Sequence, residues 1–131
     1  MGRKQNLQLE IAEVPIEVTG DYSRLVQVVS NLLVNASKFA PENGKIRLTV
    51  SKDEGMCKVS VSDNGIGIKS DDLTRVFEPF AAIVKPTYVK GTGLGLSVSK
   101  GLVEAHSGRI WAESAGEGKG LTFTFTVPGK D

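Results

Sequence analysis

The chain lacks several features that would assign it quickly to a class of protein. Its 131 residues hold one cysteine, Cys57, and one histidine, His106, so it can form neither an internal disulfide nor a Cys/His zinc cluster. A formal net charge of +1 favours neither nucleic acid nor a membrane surface as a partner. No apolar run approaches the roughly 18 residues of a membrane span, and no signal-peptide pattern is present. We therefore expect a cytoplasmic globular domain with no nucleic-acid or membrane contact.

Glycine, by contrast, is abundant. Most of the fifteen glycines lie after residue 54, which indicates turns and loops with special backbone geometry in the second half of the chain. The length predicts a single domain over residues 1–131. Residues 1–4 are expected to be disordered or foreign to the natural chain.

The apolar pattern predicts an α+β fold. Apolar residues at helical spacing follow Asp21, a good N-cap, and continue to about Ala40. Two alternating segments joined through Glu54-Gly55 predict a hairpin. We expect a two-layer α/β sandwich in which a mixed, mostly antiparallel sheet is covered on one face by three helices. The other predicted elements are strands at 7–11, 16–18, 46–50, 58–62, 109–113 and 121–127, helices at 70–77 and 93–106, and a loop at 78–92.

A polar stripe runs along the first predicted helix. Asn31, Asn35 and Lys38 stand at i, i+4 and i+7, at the border of its apolar face. Asparagine carbonyl oxygens suit Mg²⁺, which binds few protein ligands together with phosphates, and Lys38 could neutralise a phosphate. A solvated helix edge explains the asparagines equally well.

The motif Asp63-Asn64-Gly65-Ile66-Gly67 follows a predicted strand. A carboxylate there can accept a hydrogen bond from the exocyclic amine of adenine and would repel the oxygen of guanine. The glycines allow the backbone to approach a ring closely. Taken alone, the motif is more simply a strand-ending turn, because Asn-Gly is a common turn dipeptide.

The motif Gly91-Thr92-Gly93-Leu94-Gly95-Leu96 precedes a predicted helix. Free backbone amides and the helix dipole make such a place an anion site. The motif lacks the Gly-Lys-Ser/Thr of a Walker loop and the preceding strand of a dinucleotide fold. Lys90 and Lys85 could reach phosphates, although Lys85 is more simply an exposed lysine. His106 ends the helix, where an imidazole contacts terminal carbonyls, and we expect a structural role for it.

With Phe77-Glu78-Pro79-Phe80, these motifs occur in a recognisable order. From about Leu7 to Pro128 the chain resembles the ATP-binding catalytic domain of sensor histidine kinases, in the superfamily shared with DNA gyrase and mismatch-repair ATPases. Residues 24–39 resemble the N box of that family, 63–67 its first glycine box, 77–80 its F box and 91–96 its second glycine box.

The resemblance implies ATP and Mg²⁺ as cofactors, with Asn35 as the metal ligand, Asn31 on the phosphate side and Lys38 on the phosphates. Asp63 would read adenine, and residues 81–92 would form a lid anchored by two phenylalanines, Phe77 and Phe80. Phe39 and Ile68 would line the base pocket. The assignment of Thr122 is less direct, because the preceding position, a hydroxyl residue in many relatives, is Leu121. The implied nucleotide-binding set is Asn31, Asn35, Lys38, Phe39, Asp63, Gly65, Gly67, Ile68, Phe80, Lys90, Gly91, Thr92, Gly93, Leu94, Gly95, Leu96 and Thr122.

Asn31 also bears on the reaction. Hydrolysing members of the superfamily carry a glutamate at this position, and asparagine cannot act as a general base. The resemblance therefore implies phosphoryl transfer to a histidine on a dimerisation and phosphoacceptor domain of the same protein, with a response regulator downstream in two-component signalling. His106-Ser107 lacks the acidic residue that follows the acceptor histidine of the family.

Three alternatives remain at this stage. They are an ATPase or chaperone of the same superfamily, a serine kinase that acts on an anti-anti-sigma factor, and a degenerate module that only binds a partner. Asn31 disfavours the first, and the intact motifs disfavour the last.

Overall fold

The computed structural model describes residues 6–11, 18, 20–41, 43–65, 67, 73, 75–77, 95–116 and 118–129. Within these ranges lie five strands and two α-helices. In chain order the elements are β1 (Asn6–Ile11), α1 (Tyr22–Phe39), β2 (Lys45–Asp53), β3 (Met56–Asp63), a 3-10 turn (Arg75–Phe77), α2 (Gly95–Ala105), β4 (Arg109–Glu113) and β5 (Leu121–Pro128).

The five strands form one sheet in the order β1-β2-β3-β5-β4. β1 runs parallel to β2, and the other neighbours are antiparallel, which confirms the predicted mixed, mostly antiparallel sheet. The β2–β3 hairpin turns at Glu54 and Gly55, both with positive φ (50° and 81°), as a two-residue type I′ turn requires. Of the predicted strand at 16–18 only Val18 is described, and it forms a bridge with Gly129.

Helix α1 agrees closely with its prediction. The Asp21 side chain accepts a hydrogen bond from the backbone N–H of Arg24 at 3.2 Å, which caps the first turn. Val28, Leu32 and Ala36 are fully buried at helical spacing, and α1 packs on β3 and α2. This buried stripe fixes the direction in which every other face of the helix points.

Helix α2 and the 3-10 turn complete the layer on the sheet. Val103 of α2 is fully buried, and the rings of Phe77 and Phe123 meet edge to face with centroids 6.1 Å apart. The helix predicted over 70–77 is observed only as the 3-10 turn, since residues 70–72 and 74 lie outside the described ranges. In the described part of the chain no helix is long and apolar enough to cross a membrane.

His106 joins the end of α2 to the start of α1. Its Nε2 accepts a hydrogen bond from the backbone N–H of Asp21 at 3.0 Å, and its Nδ1 lies 2.8 Å from the carbonyl oxygen of Leu102. Since a carbonyl only accepts, Nδ1 carries the ring proton and donates it to Leu102. These contacts confirm the structural role expected for this histidine.

The first prediction concerns this junction. A Cβ at Gly20 would lie 2.5 Å from Cδ2 of His106, so Gly20→Ala should lower the free energy of unfolding by about 1–3 kcal/mol through overpacking. In a His106→Ala background the clash with His106 is absent and Leu25 Cδ1, at 3.2 Å, stays close to the added Cβ, so the same change should cost at least about 0.5 kcal/mol less. Urea unfolding of the four proteins of this cycle measures the difference.

Gly101→Ala is the matched control. Gly101 lies inside α2, and among the described residues no atom outside its own helix turn lies within 4 Å of an added Cβ, so alanine there should stabilise the protein by about 0.5–1 kcal/mol. Equal costs of Gly20→Ala in both backgrounds would show that His106 does not set the spacing of the two helix ends.

Candidate functional site

Asp63 is the last residue of β3 and stands between Ile46 of β2 and Leu121 of β5 in the sheet. The residue is only 8% exposed. One carboxylate oxygen, Oδ1, accepts a hydrogen bond from the backbone N–H of Gly65 at 2.8 Å. Within the part of the chain that the structure describes, the buried Oδ2 has no hydrogen-bond partner. A buried acceptor without a partner is costly, and it indicates a place for a ligand donor.

The surroundings of this carboxyl also change its acidity. Burial raises the pKa of Asp63 to about 6, while the backbone amides of Gly65 and Leu121 act in the opposite direction. Desolvation disfavours the charged carboxylate and the two amides favour it, and here the effect of desolvation is the larger. The carboxylate is therefore held in an environment that favours a partner able to donate a hydrogen bond.

A cavity of about 320 Å³ adjoins Asp63 at the end of the sheet. This volume lies at the lower end of the range usual for small-molecule pockets. Thr122 is among its lining residues, and its hydroxyl pairs with that of Ser62 at 3.0 Å. The lining residues are Asp63, Glu113, Ser114, Ala115, Lys119, Gly120, Leu121 and Thr122.

The first glycine motif is held by the loop between β4 and β5. Gly67 has φ of +62°, and a Cβ there would contact the carbonyl oxygen of Gly116 and lie 2.9 Å from the hydroxyl of Ser114. That hydroxyl donates to the carbonyl of Gly120 at 2.7 Å and accepts from the N–H of Gly116 at 3.2 Å. The sequence reasoning missed Ser114. The only signal was a serine ahead of a glycine-rich turn.

Asn64 has a different task from its neighbour Asp63. Its Oδ1 accepts a hydrogen bond from the backbone N–H of Lys45 at 2.8 Å, and its own N–H donates to the Lys45 carbonyl at 3.3 Å. Asn64 thus ties the end of β3 to the start of β2. The turn interpretation of the motif is therefore confirmed for Asn64, and the ligand interpretation of Asp63 stays a prediction.

The polar stripe of α1 borders the core as predicted, because Asn31, Asn35 and Lys38 are all half-buried. Nδ2 of Asn35 donates to the main-chain carbonyl of Asn31 at 2.8 Å, and Nδ2 of Asn31 donates to the hydroxyl of Ser99 on α2 at 3.2 Å. Because the nitrogen of Asn35 is engaged in this way, its amide oxygen is the atom that could bind a cation. An amide oxygen is a hard ligand, which fits Mg²⁺ that also binds phosphates and water.

Several predicted residues lie outside the described ranges. They are Ile68, Phe80, Lys90 and residues 91–94, together with the predicted lid at 81–92 and the side chain of Phe39. From the second glycine motif, Gly95 begins α2, and the half-buried Leu96 packs against the core. The structure thus brings Asp63, Gly65, Gly67 and Thr122 to one end of the sheet. It brings Asn31 to the contact of α1 with α2, with Asn35 one turn further along α1.

Comparison with known proteins assigns the chain to a protein family. The profile of the family described as "Histidine kinase-, DNA gyrase B-, and HSP90-like ATPase" matches residues 20–131. The chain belongs to this ATPase family. It is 44% identical over 115 residues to the sensor histidine kinase WalK of Bacillus subtilis (strain 168), a match that covers 85% of this chain and 19% of WalK.

Solved structures agree with the family assignment. Full-length ShkA in complex with AMPPNP has a TM-score of 0.82 at 30% identity, and the match covers 95% of this chain and 26% of that one. Histidine kinase ThkA in complex with the response regulator protein TrrA has a TM-score of 0.79 at 31% identity, covering 96% of this chain and 34% of that one. The resemblance to histidine-kinase catalytic domains and the predicted fold class are both confirmed, and the chain spans a small part of these longer proteins.

The raised pKa of Asp63 gives the second prediction. The folded protein holds a proton on Asp63 up to about pH 6, whereas the unfolded chain releases it near 3.8, so the free energy of unfolding should fall as pH rises between these values. The full loss, present above about pH 6, corresponds to about 3 kcal/mol. The Asp63→Asn variant has no carboxyl group at this position and should not show this loss. Between pH 4 and 7, the free energy of unfolding of the nucleotide-free wild-type protein should therefore fall by most of that amount relative to the variant, as measured by urea unfolding. Parallel pH curves would contradict the burial of an ionised carboxylate.

Proposed function

We propose that this chain is the ATP-binding catalytic domain of a sensor histidine kinase, which transfers the γ-phosphoryl group of ATP to a histidine on a separate domain of the same protein. The family assignment and the identity with WalK support this function. The ShkA complex supports the ligand, since AMPPNP is an analogue of ATP.

Recognition of the base is assigned to Asp63. Its buried Oδ2 accepts a hydrogen bond from the exocyclic amine of adenine, which replaces the partner missing from the described residues. Guanine places an oxygen at that position, and two acceptors would face each other without a proton. Gly65 and Gly67 keep the backbone beside this carboxylate free of side chains.

Magnesium is assigned to the amide oxygen of Asn35, and Lys38 lies one turn further along the same helix. When bound, the ion neutralises charge on the phosphates. The chain itself contributes orientation, because the hydrogen bond from Asn35 to the Asn31 carbonyl holds the amide in one direction. The second glycine motif supplies backbone amides to the phosphates ahead of α2.

The observation that carries transfer over hydrolysis is Asn31. An amide has no basic lone pair with which to activate water, and its nitrogen already donates to Ser99. In phosphoryl transfer, positioning and charge neutralisation provide most of the rate enhancement. A site with these residues therefore positions ATP for an external nucleophile.

The acceptor is assigned to another domain, because His106 is already engaged. Its Nε2 accepts from Asp21 and its Nδ1 donates to Leu102, so no ring nitrogen is left to attack phosphorus. It also follows α2 at the end opposite Gly95, and an eleven-residue helix is roughly 16 Å long.

The partners are accordingly the dimerisation and phosphoacceptor domain of the same protein and, downstream, a response regulator. The complex of ThkA with a response regulator supports the second partner. We also place the domain in the cytoplasm, where ATP is abundant.

The third prediction tests base recognition. Asp63→Asn should weaken ATP binding by roughly 10- to 100-fold, because either orientation of the new amide sets one donor against another, at Gly65 or at the adenine amine. Asp53→Asn makes the same chemical change at the opposite end of the hairpin and should leave the dissociation constant unchanged. Calorimetric titration with ATP and GTP measures both variants. Equal affinity of the wild-type protein for the two nucleotides would remove Asp63 from base recognition.

The fourth prediction tests the reaction. Incubated alone with radiolabelled ATP and Mg²⁺, the chain should incorporate no phosphate, because it lacks an available acceptor nitrogen. Addition of the separate acceptor domain should give labelling of that domain, stable in base and labile in acid as expected for phosphohistidine. Labelling of the isolated chain that survives His106→Ala would favour a serine or threonine kinase instead.

A further inference from the structure

Ser99 is a polar residue in an apolar position. It lies one turn after Gly95 on the face of α2 that also carries Val103, and both side chains are fully buried. Helix α2 packs there against α1. A hydroxyl in such a place requires a hydrogen bond, because an unsatisfied one would cost stability. Asn31 provides that bond by donating from Nδ2 to the Ser99 hydroxyl at 3.2 Å.

This bond determines how the Asn31 amide is oriented. Its nitrogen and oxygen lie on opposite sides of one planar group, so a nitrogen held toward α2 turns the oxygen away from α2. Asn35 is held in the same manner, since its nitrogen donates to the Asn31 carbonyl at 2.8 Å. Neighbouring residues of one helix stripe therefore both have their amide nitrogens engaged by the protein.

We propose that Ser99 is a positioning residue for magnesium-dependent nucleotide binding, which holds the Asn31 amide so that its oxygen faces the cation side of the site beside Asn35. An amide oxygen gains nothing from phosphate oxygens, which are also acceptors, but it stabilises a cation or a water bound to that cation. An amide oxygen carries two acceptor positions, so it can serve a cation and a donor of the protein at the same time. The inference rests on the function proposed above and adds to it.

Ser99 also connects two elements of the site. It stands on the helix that follows the second glycine motif, and Asn31 stands on the helix of the N box. The hydroxyl thus ties the element that supplies amides to the phosphates to the element that supplies the metal ligand. Loss of this tie should affect the binding step that needs both phosphates and cation, and not the recognition of the base by Asp63.

The experiment separates these two steps. ATP affinity is measured by calorimetry for the wild-type protein, Ser99→Ala, Asn31→Ala and the double variant, with increasing MgCl₂ and with EDTA. Ser99→Ala should raise the Mg²⁺ concentration at half-maximal enhancement about tenfold, the equivalent of one hydrogen bond to an oriented group, and should leave the affinity in EDTA unchanged. In the Asn31→Ala background, Ser99→Ala should have no further effect on this concentration.

Control variants distinguish positioning from general stability. Ser60→Ala removes a serine hydroxyl that pairs with Thr124 at 3.1 Å on the sheet and should change neither quantity. Ser99→Cys preserves the shape and offers only a weak acceptor, so it should raise the Mg²⁺ requirement in a folded protein even where alanine lowers the melting temperature.

The outcomes that would overturn the inference are distinct from those that would overturn the proposed function. An unchanged Mg²⁺ requirement in both Ser99 variants, equal losses of affinity with and without Mg²⁺, or additive effects in the double variant would each reject Ser99 as a positioning residue. A wild-type protein whose ATP affinity does not respond to Mg²⁺ would instead reject the metal site of the proposed function.

Discussion

Burial of one apolar stripe on α1 is the constraint on which the rest of the structure depends. Val28, Leu32 and Ala36 face β3 and α2 and are removed from water, and burial of a leucine alone is worth about 1.5–3 kcal/mol. Because helical geometry is fixed, this burial also sets the direction of Asn31 and Asn35 at the border of the stripe. Hydrophobic packing thus places the polar side chains of the site, and their hydrogen bonds to Ser99 and to the Asn31 carbonyl orient the amide groups.

Asp63 shows how a binding site can oppose folding. Its carboxylate ends a central strand, where burial disfavours the charge and one oxygen lacks a partner among the described residues. The nucleotide-free protein bears that cost, and a ligand that donates to the oxygen relieves it. Under the proposed function, nucleotide binding and global stability are therefore coupled at this one atom, and the coupling follows from the position of Asp63 in the sheet.

Much of the fold was predictable because its signals are local. Three features depend only on residues close together in the sequence, and the structure confirms them. They are the cap at Asp21, the turn at Glu54-Gly55 and the spacing of Asn31 and Asn35. The pairing of β5 between β3 and β4, and the parallel β1, depend on contacts between distant segments that no local pattern encodes. Ser99 and Ser114 escaped notice for the same reason, since their partners are set only by the packing of α2 and by the β4–β5 loop. The second glycine motif stays a prediction for residues 91–94.

The packing around Gly67 affects how loss-of-function alleles of such domains are interpreted. A side chain at Gly67 would run into the β4–β5 loop, and one at Gly120 would contact the carbonyl oxygen of Asp63 itself. Both glycines also have positive φ, at 62° and 78°, which adds backbone strain to any substitution. An inactive allele at either position would therefore report a displaced sheet end rather than a missing contact to nucleotide. A genetic screen that interprets substitutions at these glycines as specific losses of nucleotide binding would attribute to signalling what is a loss of folded protein.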